Sequence, residues 1–215
     1  MKKVLLIGDS IRMGYCSFVK ERLQGKAEVF YADDNARFLQ YTLRTVSDWK
    51  NNNNWPADMD VVHWNNGLWD LLHMSSAAAK DGEVEGTTAV VGDGVGNVVY
   101  DPDPLTPPEM YRYMLQRVHT RIRQLFPKAE IVFATTTPVQ KEYAGLGHRS
   151  NAEIAAYNQI VRATLLPLGV RINDLHAFAQ SACAGCYRDW VHYNEEGCKL
   201  LAQEIEEYLT RESLL

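Results

Sequence analysis

The feature that most constrains this chain is the alternation of short apolar, β-rich runs with stretches of helical period. Runs at Lys3–Ile7, Ala27–Ala32, Met59–Trp64, Glu130–Thr135 and Gly169–Asn173 have the length and residue types of strands. Between them, Arg37–Trp49 repeats Phe38, Leu39, Leu43 and Val46 on one helical face. Glu109–Leu125 follows Pro107-Pro108, residues suited to a helix start, and repeats Met110, Met114, Val118 and Ile122. Asn151–Leu166 repeats Ile154, Tyr157, Val161 and Leu165. A last helix is expected from Asn194, a capping residue with Glu195 and Glu196 beside the positive end, burying Leu201, Ile205 and Leu209. Strands and helices in strict alternation predict an α/β fold with a five-stranded parallel sheet covered on both faces. The near-continuous apolar character of the first and fourth runs fits strands buried on both sides.

At 215 residues the chain fits one domain, 1–215, with a core of ordinary size. Ser75–Thr106 breaks the rhythm: it is rich in Gly, Asp and Pro, and reads as an insertion. Within it, Thr88–Val91 and Val98–Tyr100 flank Gly92-Asp93-Gly94 in the manner of a hairpin. An insertion this long in a compact domain usually shapes a binding site or moves.

Charge and hydropathy narrow the partners. A net charge of −5 argues against nucleic acid or an anionic membrane as the main partner. The longest apolar stretches fall far short of a bilayer's thickness. Met1-Lys2-Lys3 ahead of Val4–Ile7 imitates a secretion signal, yet the apolar run enters Gly8-Asp9-Ser10 without a small-residue cleavage site. It reads as a strand, and the expected location is cytoplasmic. Cys16, Cys183, Cys186 and Cys198 are too few for a disulfide scaffold, and Cys183-Ala184-Gly185-Cys186 lacks the further ligands of a zinc site. Free thiols are expected.

Three short segments at element ends carry chemistry, where an open parallel sheet places its site. Ser10, in Gly8-Asp9-Ser10, falls between the first strand and the next helix, so its hydroxyl projects from the sheet edge and its N–H lies in the helix-start field. Taken alone, Gly-Asp-Ser is equally a turn and cap. Asp189-Trp190-Val191-His192 precedes the last helix. A serine hydroxyl needs a base, and an imidazole needs a carboxylate to hold its tautomer; a three-residue separation lets Asp189 reach the ring that faces Ser10. Alone, these would be a capping Asp and a surface His. The third segment, His63-Trp64-Asn65-Asn66-Gly67-Leu68-Trp69-Asp70, sets two amides beside a glycine turn and offers donors to an oxyanion, although Asn-Gly is also a common turn pair.

Together these segments resemble the SGNH (GDSL-like) hydrolase family over essentially the whole chain. Thr135-Thr136-Thr137-Pro138-Val139 after the fourth strand and Tyr193-Asn194-Glu195-Glu196-Gly197 after the Asp-x-x-His add to the likeness. The resemblance implies a flavodoxin-like three-layer α/β/α sandwich and a triad of Ser10, His192 and Asp189. It also implies an oxyanion hole built from the Ser10 N–H, a second-block N–H and a third-block Asn side chain. The chain departs from the pattern twice. Asp34-Asn35-Ala36-Arg37 lacks the family's glycine, so Ala36 would lend its N–H. The third block reads Gly67-Leu68-Trp69-Asp70 where Gly-x-Asn-Asp is usual, leaving Asn66 as the side-chain donor, with Asn65 and the Trp69 indole as alternatives.

Substrate contacts are expected from Arg12, Trp64, Trp69 and His73, since aromatic surfaces beside polar donors suit sugars, although tryptophan is mostly buried in any protein. The expected activity is hydrolysis of small acyl esters, acetyl above all, with carbohydrate esters as the small-molecule substrate. The alternatives are a thioesterase or lysophospholipase for longer chains, and a non-catalytic binder on the same frame. Gly8–Gly14 has no phosphate-loop pattern to support the last of these. No cofactor or metal is expected, because a triad supplies its own base and electrophilic stabilisation.

Overall fold

The structure, a computed structural model, describes residues 1–75, 100–144 and 147–215. The expected hairpin of Thr88–Val91 and Val98–Tyr100 lies outside these residues except for Tyr100. The chain begins with β1 (Lys2–Ile7), α1 (Ser10–Arg22), β2 (Ala27–Tyr31), α2 (Leu39–Asn52), β3 (Val61–Trp64) and the two-residue β4 (His73–Met74). It continues with α3 (Pro108–Leu125), β5 (Glu130–Ala134), β6 (Tyr143–Ala144) and β7 (Gly147–His148). It ends with α4 (Asn151–Leu165), β8 (Arg171–Asn173), α5 (Leu175–Ala182) and α6 (Glu195–Arg211).

Five strands pair in parallel in the order β2-β1-β3-β5-β8, as the alternating pattern predicts. Right-handed crossovers explain the layers. The chain steps outward from β1 to β2, then reverses to run through β3, β5 and β8, so α1 falls on the face opposite α2, α3 and α4. Accordingly α1 packs against α6, while α2 packs on α3 and α3 on α4. The reversal leaves a crevice at the carboxyl ends of β1 and β3, where such sheets bind ligands. Strand residues Val4, Leu5, Leu6, Val62, Ile131, Val132 and Phe133 are all fully buried, which accounts for their apolar character on both faces.

Local chemistry sets the element ends. Asn194 caps α6 by accepting the Gly197 N–H at 2.9 Å, and Ser150 caps α4 by accepting that of Glu153 at 3.1 Å. Helix α2 begins at Leu39, two residues later than its apolar period suggests. Arg37 takes a left-handed φ of 47°, its N–H turned to Asn35 Oδ1 at 2.8 Å, so the chain bends before it can wind. The short α5, capped by Asp174, escapes the sequence pattern because eight residues carry too little periodicity to read. Among the described residues no helix is long and apolar enough to cross a membrane.

Asp70 joins the crevice to α2 by accepting the Leu39 N–H at 3.1 Å. Burial pushes its carboxyl up to about 7, against the pull of the Leu39 amide and the Thr106 hydroxyl. A pKa raised above the unfolded value of about 3.9 means stability is fullest when the group is protonated and falls as pH rises through the folded pKa. Relative to Asp70→Asn, the wild type should therefore lose stability between about pH 4 and 7 and then level off. Denaturant midpoints across that range test this; parallel curves for the two proteins would refute it.

Candidate active site

Strand β1 delivers the chain to Gly8, where a side chain is not tolerated. A Cβ there would sit 1.8 Å from Asn65 Oδ1 and 2.6 Å from the Arg12 Cβ. This close approach lets Asp9 turn inward and cap α1, its Oδ1 accepting the Ile11 N–H at 3.0 Å and the Asn65 amide at 3.1 Å. Ser10 becomes the first residue of the helix, half-buried at the crevice. Its N–H belongs to the first turn, which has no intrahelical acceptors.

The opposite wall is the loop before α6. Tyr187 and Tyr193 pair across it, their rings stacked at 4.7 Å, and Tyr187 donates its hydroxyl to the Pro138 carbonyl at 3.0 Å. The Gln140 N–H donates to the Trp190 carbonyl at 2.8 Å, tying the same loop to the segment after β5. Inside this frame Asp189 Oδ1 accepts the N–H groups of Val191 and His192 at 3.0 and 2.8 Å. Asp189 Oδ2 lies 2.8 Å from His192 Nδ1, and His192 Nε2 lies 2.8 Å from Ser10 Oγ. The carboxylate holds the ring proton on Nδ1, which leaves the Nε2 lone pair to accept from the Ser10 hydroxyl. Partial burial pushes the Asp189 carboxyl up, but the His192 and Val191 amides and the imidazole outweigh it and hold it below the usual range. The relay of Ser10, His192 and Asp189 is thus assembled from positions 182 residues apart.

Other expected site residues lie elsewhere, and the reasons are specific. The Ala36 N–H is donated to the Gly8 carbonyl at 3.0 Å, so it is not free for an oxyanion. Asn66 is fully buried; its amide donates to the Arg37 carbonyl at 2.7 Å, and its Oδ1 accepts from the Trp64 indole and the Thr42 hydroxyl. Arg12 is buried as a clamp on the β2–α2 loop, bonding the carbonyls of Ala32 and Asp34 as well as Gly8. Trp64 is a core residue, edge-on to Phe133 at 4.8 Å. His73 is buried between the Asp101 carbonyl and Glu153. None of these is placed to meet substrate or oxyanion from the crevice.

Trp69 alone of the expected substrate contacts is partly exposed. Beside it stands a residue that sequence reasoning missed. Arg149 lies over the Trp190 ring at 4.6 Å and 5.9 Å from that of Trp69, and its Nε donates to the Leu68 carbonyl. Burial pulls its guanidinium down to about 10, offset in part by Asp9, so it stays charged at neutral pH. The sequence carries no signal for it, since Arg149 meets Trp69 and Trp190 only through the fold. A cleft of about 510 Å³ opens beside Ser10 and His192 between the starts of α1 and α6, walled by Met13 and Phe18 and rimmed by Arg188 and Glu195. All four cysteines are buried free thiols.

Residues 6–200 match the family model described as GDSL-like Lipase/Acylhydrolase family. No curated protein sequence matches the chain. Among solved structures, the lipase/acylhydrolase from Enterococcus faecalis superposes with a TM-score of 0.67 at 14% identity, covering 99% of this chain and 97% of that one. The acetyl xylan esterase AlAXEase gives 0.65 at 18% identity, covering 96% and 99%. A carbohydrate esterase family 3 from Talaromyces cellulolyticus gives 0.63 at 16%, covering 98% and 97%. These identities establish likeness of fold.

Asp189→Asn keeps an oxygen for the two backbone amides but turns an NH₂ toward Nδ1, which selects the wrong tautomer. Turnover of an aryl ester should fall on the order of 10³–10⁴-fold with the melting temperature little changed. Retention of a tenth of wild-type turnover would remove Asp189 from the relay.

Proposed function

The chain belongs to the GDSL-like lipase/acylhydrolase family of ester-hydrolysing enzymes, and we propose that it is a serine esterase for small acyl groups, acetyl above all, carried on carbohydrates. The observation that carries the catalytic part is the unbroken relay from Asp189 through His192 to Ser10 Oγ, each contact 2.8 Å long.

In this reading Ser10 Oγ attacks the ester carbonyl while His192 Nε2 takes its proton. Asp189 stabilises the imidazolium, and the proton passes to the departing alcohol as the tetrahedral intermediate collapses. Water then enters by the same route, His192 again serving as base, and releases the acid from the acyl-enzyme. The Ser10 N–H at the helix start is one oxyanion donor. With Ala36 and Asn66 committed to Gly8 and Arg37, we assign the side-chain donor to the Trp69 indole N–H. It occupies the family's asparagine position, one residue before the Asp70 that anchors α2, and its ring is partly exposed beside Arg149.

The substrate class is supported by likeness of fold to proteins named acetyl xylan esterase and carbohydrate esterase. It is also supported by the charged rim of Arg188 and Glu195 on a cleft of moderate volume. The Met13 and Phe18 wall favours a second reading, hydrolysis of longer acyl chains.

Ser10→Ala should lower kcat by about 10⁴–10⁶ and abolish labelling by a fluorophosphonate without unfolding the protein. Turnover above a few per cent would exclude Ser10 as the nucleophile. Trp69→Phe keeps the ring and removes the N–H, so kcat should fall about 10²–10³-fold; a near-normal rate would transfer the role elsewhere. Across aryl esters of graded length, with acetylated xylo-oligosaccharides alongside, kcat/KM should peak at acetyl. A rise toward octanoyl would favour the longer-chain reading.

A further inference from the structure

Away from the Ser10 relay, β4 pairs antiparallel with β7 so that His73 stands directly opposite His148. Residues opposed in this way present their side chains on one face, close enough to share a ligand. The two rings lie with centroids 5.6 Å apart. The approach depends on Gly147, where a Cβ would sit 2.2 Å from the His73 carbonyl oxygen. The chain then turns into α4, whose capping Ser150 donates its hydroxyl to Glu153 Oε2 at 2.8 Å and leaves Oε1 facing His73 Nε2 at 2.7 Å. One ligand atom from each of His73, His148 and Glu153 falls within a span of 4.8 Å.

The contacts of His73 say what this cluster is built for. Its Nδ1 lies 2.7 Å from the Asp101 carbonyl, which can only accept, so Nδ1 carries the ring proton. Its Nε2 faces a second acceptor, the Glu153 carboxylate. A neutral imidazole has one N–H, so a positive species belongs between Nε2 and Oε1: a second proton or a metal ion. A backbone carbonyl on Nδ1 is also the usual outer partner that fixes the tautomer of a metal-binding histidine.

We propose that His73, His148 and Glu153 bind a zinc ion that ties β4 and β7 to the start of α4. Two imidazoles and a carboxylate are a zinc donor set that leaves the fourth position to water. At zinc bond lengths of about 2.0–2.2 Å the ligand atoms would stand roughly 3.3–3.6 Å apart, so Nε2 and Oε1 need open by less than an ångström. His73 and His148 are buried, and the partly exposed Glu153 side chain provides the entry. The ion would lie one residue from Arg149, and so would brace the Trp69–Arg149–Trp190 stack without touching Ser10. The ligands come from positions 73, 148 and 153, a spread with no spacing motif.

The test uses the full chain, stripped with a chelator and titrated with zinc against a chromogenic competitor, with metal content read by mass spectrometry. One zinc per chain is expected, and His148→Ala and Glu153→Gln should each weaken it on the order of 100-fold. The cobalt-loaded protein should give the intense visible absorption of a four-coordinate ion, lost in both variants, and zinc should raise the melting temperature of the wild type only. Cys183→Ser/Cys186→Ser should keep the zinc. Absence of binding at micromolar zinc, retention in Glu153→Gln, or loss in the cysteine variant would each overturn the proposal. Glu153→Gln can still accept the Ser150 hydroxyl, so its folding, checked by circular dichroism, keeps the test decisive.

Discussion

Asp9 is the residue on which the geometry of the crevice depends. Its carboxylate leaves the end of β1, caps α1 through Ile11 and receives the Asn65 amide from the end of β3. One side chain therefore fixes the position of Ser10 relative to both strands at the sheet's switch point. The arrangement is costly: Asp9 is almost wholly buried, and burial pushes its carboxyl up despite the Asn65 and Ile11 donors and the nearby charges of Arg149 and Arg12. Charge-assisted hydrogen bonds worth roughly 1.5–3 kcal/mol each offset a desolvation penalty of similar order. The raised carboxyl means that these donors do not fully offset burial, so what Asp9 contributes is placement of Ser10 more than stability.

The same logic runs around the rim. Two of the β–α loops at the carboxyl edge are held by buried polar side chains bonding backbone: the β2–α2 loop by Arg12 on Ala32, Asn66 on Arg37 and Asp70 on Leu39, and the loop after β5 by Asn158 on Thr136. Buried carbonyls and amides in such loops must find partners, each costing about 1–3 kcal/mol if it does not. This is why residues that look like donors to a substrate from their place beside the site are committed to the protein's own backbone. A site rigid enough to hold a 2.8 Å relay needs that bracing.

The same bracing decides how much of the molecule is legible in its residues. The sheet is legible because its inner strands β1, β3 and β5 are buried on both faces, and continuous apolar runs of strand length, set between helical periods, fit little but a covered parallel sheet. The three residues of the Ser10–His192–Asp189 relay are legible because they sit at element ends, where the chain order of a parallel sheet brings motifs together. The proposed oxyanion donors and substrate contacts are less so. Whether Asn65, Asn66 or Trp69 faces the crevice depends on one-residue alternation and on which backbone groups are left unpaired, and neither leaves a trace in residue type. Arg149 and the His73–His148 pair depend on strand register across the insertion, which nothing local encodes.

Two carboxylates flank the serine, and their surroundings decide which can serve the imidazole. Asp9 is nearer in sequence, yet it lies inside the sheet edge, raised by burial and committed to holding the chain. Asp189 lies on a loop that solvent reaches, its side chain 38% exposed, with two amides on Oδ1 and the ring on Oδ2 holding it below the usual range. An imidazolium formed during attack on an ester needs a partner that is ionised throughout and already oriented. Asp189 meets both conditions because its hydrogen bonds outweigh its partial burial, where those of the wholly buried Asp9 do not, and its two backbone amides keep it from following the proton. The division of labour between the carboxylates, one structural with its carboxyl raised by burial, the other the proposed partner of the imidazole and held below the usual range on its loop, follows from where the chain places them and not from their chemistry.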